Sequence, residues 1–589
     1  MLRTHTCGQL NKEHVNEEVE LCGWVHRRRD HGGVIFIDLR DRYGLTQIKF
    51  NPEIKEETWQ EADKLRSEWV IKVKGKVAAR PGDMVNSKLQ TGEIEVEVGE
   101  LEIYSQAQTP PFEIDEEKRV DVNEETRMKY RYLDLRKPEI SEIILKRHQF
   151  IKYVRDYLSQ RNFAEIETPY LSKSTPEGAR DFLVPSRLHN GQFYALPQSP
   201  QQYKQLLMIS GMDKYFQFAR CFRDEDTRGD RQAEFTQLDM EMSFVDREDI
   251  LNLTEDMFTR AVQQIFPEKK ILFREWPRLD HAECLLKYGT DRPDLRFGME
   301  IQELSDLVKG CEFKVFQETL DKGGVVRALV APQGSQLSRT QIDDLTNFVA
   351  DYGAKGLAYI IVKDQELQSP IVKFLGEDLA WKIVKATGAQ AGDTIFFGAD
   401  SEKVVREALG ALRNELASRL GLLDKDQLAF AFVVDFPLFE EEKQNGYYAP
   451  EHHMFTYPNP EDMELLDKDP HRVRSYQYDV VVNGVEAAGG SIRIHDRDIQ
   501  EKIFDLIGFG EEDKKRFSHF LKAFEYGVPP HGGIAAGLER LLMVIMNKNS
   551  IRDIMPFPKT GDGRDLMMET PSEVEEKQLK ELGIRIKKD

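Results

Sequence analysis

Roughly the first hundred residues alternate apolar and polar side chains with period two, as strands with one buried face do. Val19-Glu20-Leu21-Cys22-Gly23-Trp24-Val25 is the clearest run, and Val34 to Leu39, Thr46 to Phe50, Trp69 to Val73 and Ile94 to Val98 follow it. Only Glu57 to Ser67 has a helical look between them. Short strands with glycine-containing turns predict a small β-barrel. From Ala107 to Asn123 the chain is polar and proline-containing, which reads as a linker. The period then lengthens. Ile144, Phe150, Ile151, Val154 and Leu158 fall near helical spacing, and predict a long helix from about Ser141 to Gln160. Strand–turn–strand segments with interspersed helices come next, an α+β pattern.

Residues 289–420 look different. Gly323 to Val330 and Leu357 to Val362 read as strands between helices, without the dense clusters of Arg, His and acidic residues seen on either side. The expected organisation is a multidomain α+β chain. It has a barrel over 1–105, a linker over 106–140, a core split into 141–288 and 421–570, an inserted α/β domain over 289–420, and an extension over 571–589.

Composition narrows this. The chain has 589 residues, 40% hydrophobic and 31% charged, enough for three or four ordinary globular domains. Collagen-like, disulfide-scaffold and mostly disordered classes are excluded. No apolar run approaches the ~18 residues of a membrane span, and MLRTHTCGQLNKEH holds no apolar leader stretch, so no membrane partner is expected. Five widely spaced cysteines form no C-x-x-C, which argues against structural zinc and disulfides and for a reducing, cytoplasmic setting. The net charge of −21 argues at first against nucleic acid. Locally the sign reverses: Trp24 to Lys49 carries six Lys/Arg against three Asp/Glu, and Lys72 to Lys88 five against one. A nucleic acid senses such patches at short screened range, so the total excludes nothing.

Five segments carry candidate chemistry. Cys221-Phe222-Arg223-Asp224-Glu225, a polar loop, and Arg231-Gln232 through Glu241 make a hairpin with a charged tip of about ten residues. An arginine just inside such a tip can clamp a phosphate bidentately. Gly532-Gly533-Ile534-Ala535-Ala536-Gly537-Leu538-Glu539-Arg540 passes from a glycine-rich strand into an apolar helix, where Gly537 lets a flat group approach and Arg540 can stack on it or bind phosphate. In Tyr478-Asp479-Val480-Val481-Val482-Asn483-Gly484-Val485-Glu486, the Asn-Gly turn pairs Val481 with Glu486 and makes Asp479 its diagonal neighbour. Two such carboxylates repel unless a cation lies between them, and Mg²⁺ with a nucleoside triphosphate is the candidate. Arg493, behind Ala487-Ala488-Gly489-Gly490-Ser491, needs an anionic partner, either an internal carboxylate or a substrate. His452-His453 lack metal-ligand spacing and read as substrate contacts.

Taken in order, these segments resemble class II aminoacyl-tRNA synthetases. The Arg223-Asp224-Glu225 hairpin is similar to their motif 2, Gly537 to Arg540 to motif 3, and Asn162-Phe163-Ala164-Glu165-Ile166-Glu167-Thr168-Pro169 to motif 1. No H-I-G-H or K-M-S-K-S segment of the class I enzymes occurs. A barrel ahead of the core points to the aspartyl, asparaginyl and lysyl subgroup. Over essentially the whole chain the resemblance is to its bacterial aspartyl members. Ser174 to Asp181 resembles their mobile loop and Pro197 to Lys204 their aspartate-binding segment. Ala488 stands where they usually have glycine, and Glu539 where aspartate is usual.

The resemblance implies an OB-fold barrel, an antiparallel-sheet catalytic core and a homodimer formed through motif 1. It implies activation of L-aspartate by ATP, then transfer to the 3′ end of tRNA(Asp). Arg223 and Arg540 would be catalytic. Glu177, Gln201, Lys204, Arg223, His452, His453 and Arg493 would hold aspartate, either histidine being the one in contact. Arg223, Asp224, Glu225, Gln232, Glu486, Gly537, Leu538, Glu539 and Arg540 would hold ATP, and Asp479 and Glu486 Mg²⁺. Aspartate and asparagine are nearly isosteric, so the pocket must read charge, through Lys204 and Arg493. Arg27, Arg29, Phe36 as an exposed aromatic and Gln47 would meet the anticodon loop. His31 and Gly82 would mark a relaxed enzyme that also charges tRNA(Asn). A strictly discriminating aspartyl enzyme and an asparaginyl ligase remain the alternatives.

Overall fold

The computed structural model describes all residues except 116–121, 175–177, 227, 441–442, 444 and 588–589. The chain forms two compact units, one of residues 1–145 with 556–560 and 564–572, the other of 146–555 with 561–563 and 573–589.

In the first unit, strands Glu18–His31, Val34–Asp41, Gly44–Phe50, Val70–Ala79 and Ile94–Ser105 close into a barrel. Alternation drives it: Val19, Leu21, Val25, Ile35, Ile37 and Ile48 point inward at 0–2% exposure. The first strand is longer than the apolar pattern predicts. It continues through Arg27-Arg28-Arg29 because these pair with Asp38, Ile37 and Phe36 on the next strand, and the ladder continues after apolar alternation ends. The helix expected from Glu57 is Glu56–Asp63.

The second unit is built on an eight-stranded sheet. Its order is Arg278–Asp280, Phe430–Val434, Gln477–Val482, Val485–Ile492, His531–Gly537, Glu234–Ser243, Lys214–Phe222 and Ala164–Glu165. The six inner strands are antiparallel, whereas both edge pairings are parallel, so the sheet is mixed rather than wholly antiparallel. The expected long helix is Pro138–Ser159. Between residues 301 and 400 a separate five-stranded antiparallel sheet carries an apolar core on each face. Its strand Val325–Ala331 starts after Gly323-Gly324, since Gly323 has φ +79°, outside the strand region. No helix among the described residues is long and apolar enough to cross a membrane.

Candidate active site

The central strands of the large sheet line a cleft of about 500 Å³. On strand Glu234–Ser243, period two puts Gln237, Asp239 and Glu241 on one face. Opposite them run Gly537, Ala535 and Gly533. A Cβ on Gly533 would lie 2.1 Å from Glu241 Oε2, so only glycine leaves room for that carboxylate. Lys204, from helix Gln201–Ile209, places Nζ 2.9 Å from Asp239 Oδ1 and 3.5 Å from Glu241 Oε2. Arg493 Nε donates to Glu241 Oε1 at 2.9 Å and its NH1 to Ser491 Oγ at 2.8 Å.

All four ionised groups are buried, and together they are neutral, which is what makes their burial tolerable. Of the two partners the sequence left open for Arg493, the structure supplies the internal carboxylate, while Arg493 and Lys204 still form part of the cleft wall. Burial pushes the Glu241 carboxyl up, but Arg493 and Lys204 outweigh it and hold the group below its ordinary range. At Asp239 burial wins and its carboxyl is raised. Burial, reinforced by Arg493 and Lys204, lowers the His453 imidazole to about 3, so it is neutral at physiological pH. Sequence reasoning missed Asp239 and Glu241 as site residues. Their signal was present, as acidic residues at alternate positions of a strand that is buried on both faces.

The hairpin tip begins at Arg223, whose N–H still donates to Ala233 O at 2.8 Å. Its guanidinium lies 5.1 Å from the Phe235 ring centre, and its buried Nε has no hydrogen-bond partner. Among the described residues no carboxylate pairs with it, which leaves its guanidinium open to an anionic ligand. Glu225 is on the wall, paired with Arg231 at 3.2 Å, and Gln232 is buried beside them. Asp224 is exposed, and its N–H donates to Arg180 O at 2.9 Å in an isolated bridge beyond the strand end at Phe222.

In the strand-to-helix passage Gly537, Glu539 and Arg540 line the cleft, and the Leu538 side chain is buried in the core. Glu539 is a tie. Its Oε1 accepts from Arg147 NH2 at 2.9 Å and its Oε2 from Thr236 N–H at 3.0 Å, joining the long helix to the strand after the hairpin tip. Arg540 is held loosely by Glu486 O at 3.2 Å, Glu486 Oε2 at 3.6 Å and Asp230 Oδ2 at 3.5 Å, and can turn toward a ligand.

The Asn483-Gly484 turn forms with both φ values positive, +50° and +83°, and pairs Val482 with Val485 and Val481 with Glu486. A bulge then shifts the register, so Asp479 faces Gly489 and lies off the wall. Asp479 accepts from Gln477 Nε2 at 2.8 Å and lies 3.3 Å from His452 Nε2. The cation the sequence called for beside Asp479 is therefore an imidazolium of the protein itself. Burial lowers the His452 pKa, but Asp479 outweighs it and raises the value to about 9. Glu486 is on the wall, its carboxyl raised by burial and by Asp479.

A histidine with a raised folded pKa stabilises fully below its unfolded value of 6.5 and loses that contribution as pH climbs through about 9. The thermal stability advantage of the wild type over His452→Gln is thus expected to be largest near pH 6 and to vanish above pH 9. A constant difference across that range would contradict the pairing.

Gln201 and Lys204 reach the wall, and Gln198 and Ser199 join them. Glu177 lies outside the described residues. On the barrel, strand pairing puts Arg27 beside Asp38 and Gln47, and Arg29 beside Phe36 and Lys49, all on the outer face. Arg29 pairs with Asp38 at 2.6 Å and stays half exposed. Arg27 is held bidentately by Asp115, and Phe36 is half-buried rather than exposed. His31 is exposed at a hairpin end and Gly82 in the loop between the last two barrel strands.

A family model described as tRNA synthetases class II (D, K and N) matches residues 123–561. The chain belongs to the class II tRNA synthetases of this group. Residues 19–104 of this synthetase match an OB-fold nucleic acid binding domain. A Rubrobacter xylanophilus protein named aspartate–tRNA(Asp/Asn) ligase is 52% identical over 99% of this chain and 97% of its own length. A Staphylococcus epidermidis protein named aspartate–tRNA ligase is 50% identical over 99% of both. Asparaginyl-tRNA synthetase from Pyrococcus horikoshii, solved with asparaginyl-adenylate, shares the fold with a TM-score of 0.61 at 20% identity, over 95% of this chain and 99% of its own.

Proposed function

We propose that this synthetase activates L-aspartate with ATP and transfers it to the 3′ end of tRNA(Asp) and also of tRNA(Asn). The observation that carries the aspartate reading is the buried Lys204–Arg493 cation pair on the cleft wall. A carboxylate side chain meets charge-assisted donors there, whereas an amide of the same shape does not. The relatives named for aspartate support the same reading.

In the first step an α-carboxylate oxygen of aspartate attacks the α-phosphorus and pyrophosphate leaves. In the second a terminal ribose hydroxyl of the tRNA takes the aspartyl group and AMP leaves. Neither needs a protein nucleophile, so positioning and charge neutralisation carry the rate. Arg223 bridges the carboxylate and the α-phosphate. Glu225 and Gln232 hold the nucleotide, and Arg540 its outer phosphates or adenine. His453, neutral, faces the substrate without adding charge. The hard carboxylate oxygens of Glu486, with Asp479 behind it, suit Mg²⁺, which neutralises phosphate charge when bound. The enzyme works in the cytoplasm as a homodimer formed through the Asn162 to Pro169 segment.

Pyrophosphate exchange with aspartate, asparagine and lysine tests the amino acid: aspartate alone is expected to support it, and equal exchange with asparagine would reject the reading. Relatives at similar identity carry both the Asp/Asn and the Asp names, so the tRNA range rests on His31 and Gly82. Aspartylation of purified tRNA(Asn) is expected, and its complete absence would make the enzyme strictly discriminating.

A further inference from the structure

Away from the cleft, one group of three side chains among the described residues brings metal-ligand atoms within 4.8 Å of one another: His5, His14 and Glu17. They stand beside the first barrel strand. Their positions are set by backbone structure. Asn11 caps the turn Lys12–His14, and Glu17 N–H donates to His14 O at 2.9 Å, the chain reversing through Asn16 at φ +75°. Glu17 O in turn accepts from Val77 N–H at 2.9 Å, and Thr4 N–H donates to Glu20 O at 3.0 Å, which ties the segment bearing His5 to the same strand.

Nδ1 of His5 lies 3.0 Å from Thr4 Oγ1 and Nδ1 of His14 2.9 Å from Asn11 Oδ1. At His5, donation through Nδ1 to that hydroxyl leaves Nε2 for a metal. His14 Nδ1 also lies 3.2 Å from Asn11 N–H, from which it can accept. A metal on its Nε2 selects the tautomer in which Nδ1 donates to Asn11 Oδ1 in place of that bond. The rings meet edge to face, 5.2 Å between centres. Both are half-buried and Glu17 is exposed, so an ion can enter and keep water in its fourth position.

We propose that His5, His14 and Glu17 bind one Zn²⁺ ion, which pins the N-terminal segment to the barrel. Two imidazoles and a carboxylate are a donor set for borderline metals rather than for Mg²⁺. The cysteines, which argued against structural zinc, take no part. The pinned segment is itself part of the barrel's packing. Cys7 N–H donates to Asp41 Oδ2 at 3.0 Å, Thr46 Oγ1 donates to Cys7 O at 2.7 Å, and Arg3 pairs with Asp41 at 2.7 Å.

The test uses the full-length protein, stripped with EDTA and titrated with Zn²⁺ by calorimetry in excess Mg²⁺. One ion per chain is expected in the wild type. In His5→Gln and in Glu17→Gln the affinity of that site should fall at least ~10-fold, the lower end of what disturbing even the outer shell of a metal site does. His14 is left intact because its ring also serves the Asn11 turn. Neither variant touches the cleft, so aspartate-dependent pyrophosphate exchange should match the wild type and report a folded protein. Replacement by Co²⁺ should give a visible spectrum in the wild type that His5→Gln loses. Equal Zn²⁺ affinity and stoichiometry in wild type and both variants, or no saturable binding by the wild type, would overturn the proposal.

Discussion

Arg493→Leu is expected to lower aspartate-dependent pyrophosphate exchange by at least ~10³-fold in kcat/KM, about 4 kcal/mol of transition-state stabilisation. Two effects contribute and can be separated. The substituted side chain no longer meets the substrate carboxylate. It also leaves Glu241, fully buried, with Lys204 Nζ at 3.5 Å as its remaining cation. Breaking one side of a buried pair costs about 3–5 kcal/mol of stability. Adding Glu241→Gln removes the orphaned charge, so the double variant should regain most of the lost melting temperature. It should not regain exchange, because the substrate carboxylate still lacks its arginine. Recovery of exchange in the double variant would make Arg493 merely the partner of Glu241 and end its role in reading aspartate.

Arg223→Gln is expected to reduce kcat for adenylate formation by ~10²–10³-fold, the usual effect of removing a donor aimed at developing charge. The stability signature should be the opposite of that at Arg493. Arg223 has no carboxylate partner among the described residues, so its loss orphans nothing and the melting temperature should hardly move. Arg223→Lys should recover only a small part of the rate, because an ammonium neither forks onto two oxygens nor packs flat on Phe235. A bridge used mainly in the transition state also lowers kcat more than it raises KM for aspartate. Near-normal kcat in Arg223→Gln would place the phosphate contact elsewhere, with Arg540 the next residue to vary.

The contrast between these two arginines was not visible in the sequence, where each stands near acidic residues. Arg223 is followed directly by Asp224 and Glu225, yet pairs with neither: Asp224 is exposed in a bridge to Arg180 and Arg231 engages Glu225. Arg493 has no acidic neighbour before it for several residues, yet is neutralised from position 241. In the same way Glu539 reads as a nucleotide ligand from its place beside Arg540. The tie to Arg147 and Thr236 becomes visible only once helix and sheet are packed.

By itself the sequence determined the barrel, two of the inserted sheet's five strands, the Asn483-Gly484 hairpin and the residue types around the cleft. Each follows from local periodicity, turn chemistry or motif spacing, which act over a few residues. Tertiary structure alone decided which charges have partners within the protein. Asp479 is paired with His452, Arg27 with Asp115, Lys204 with Asp239 and Arg493 with Glu241, while among the described residues Arg223 has no carboxylate partner. The physical reason is that the free energy of a charge depends on burial and on partners within about 4 Å. Those partners here come from strands and loops tens to hundreds of positions apart, brought together only when the sheet assembles.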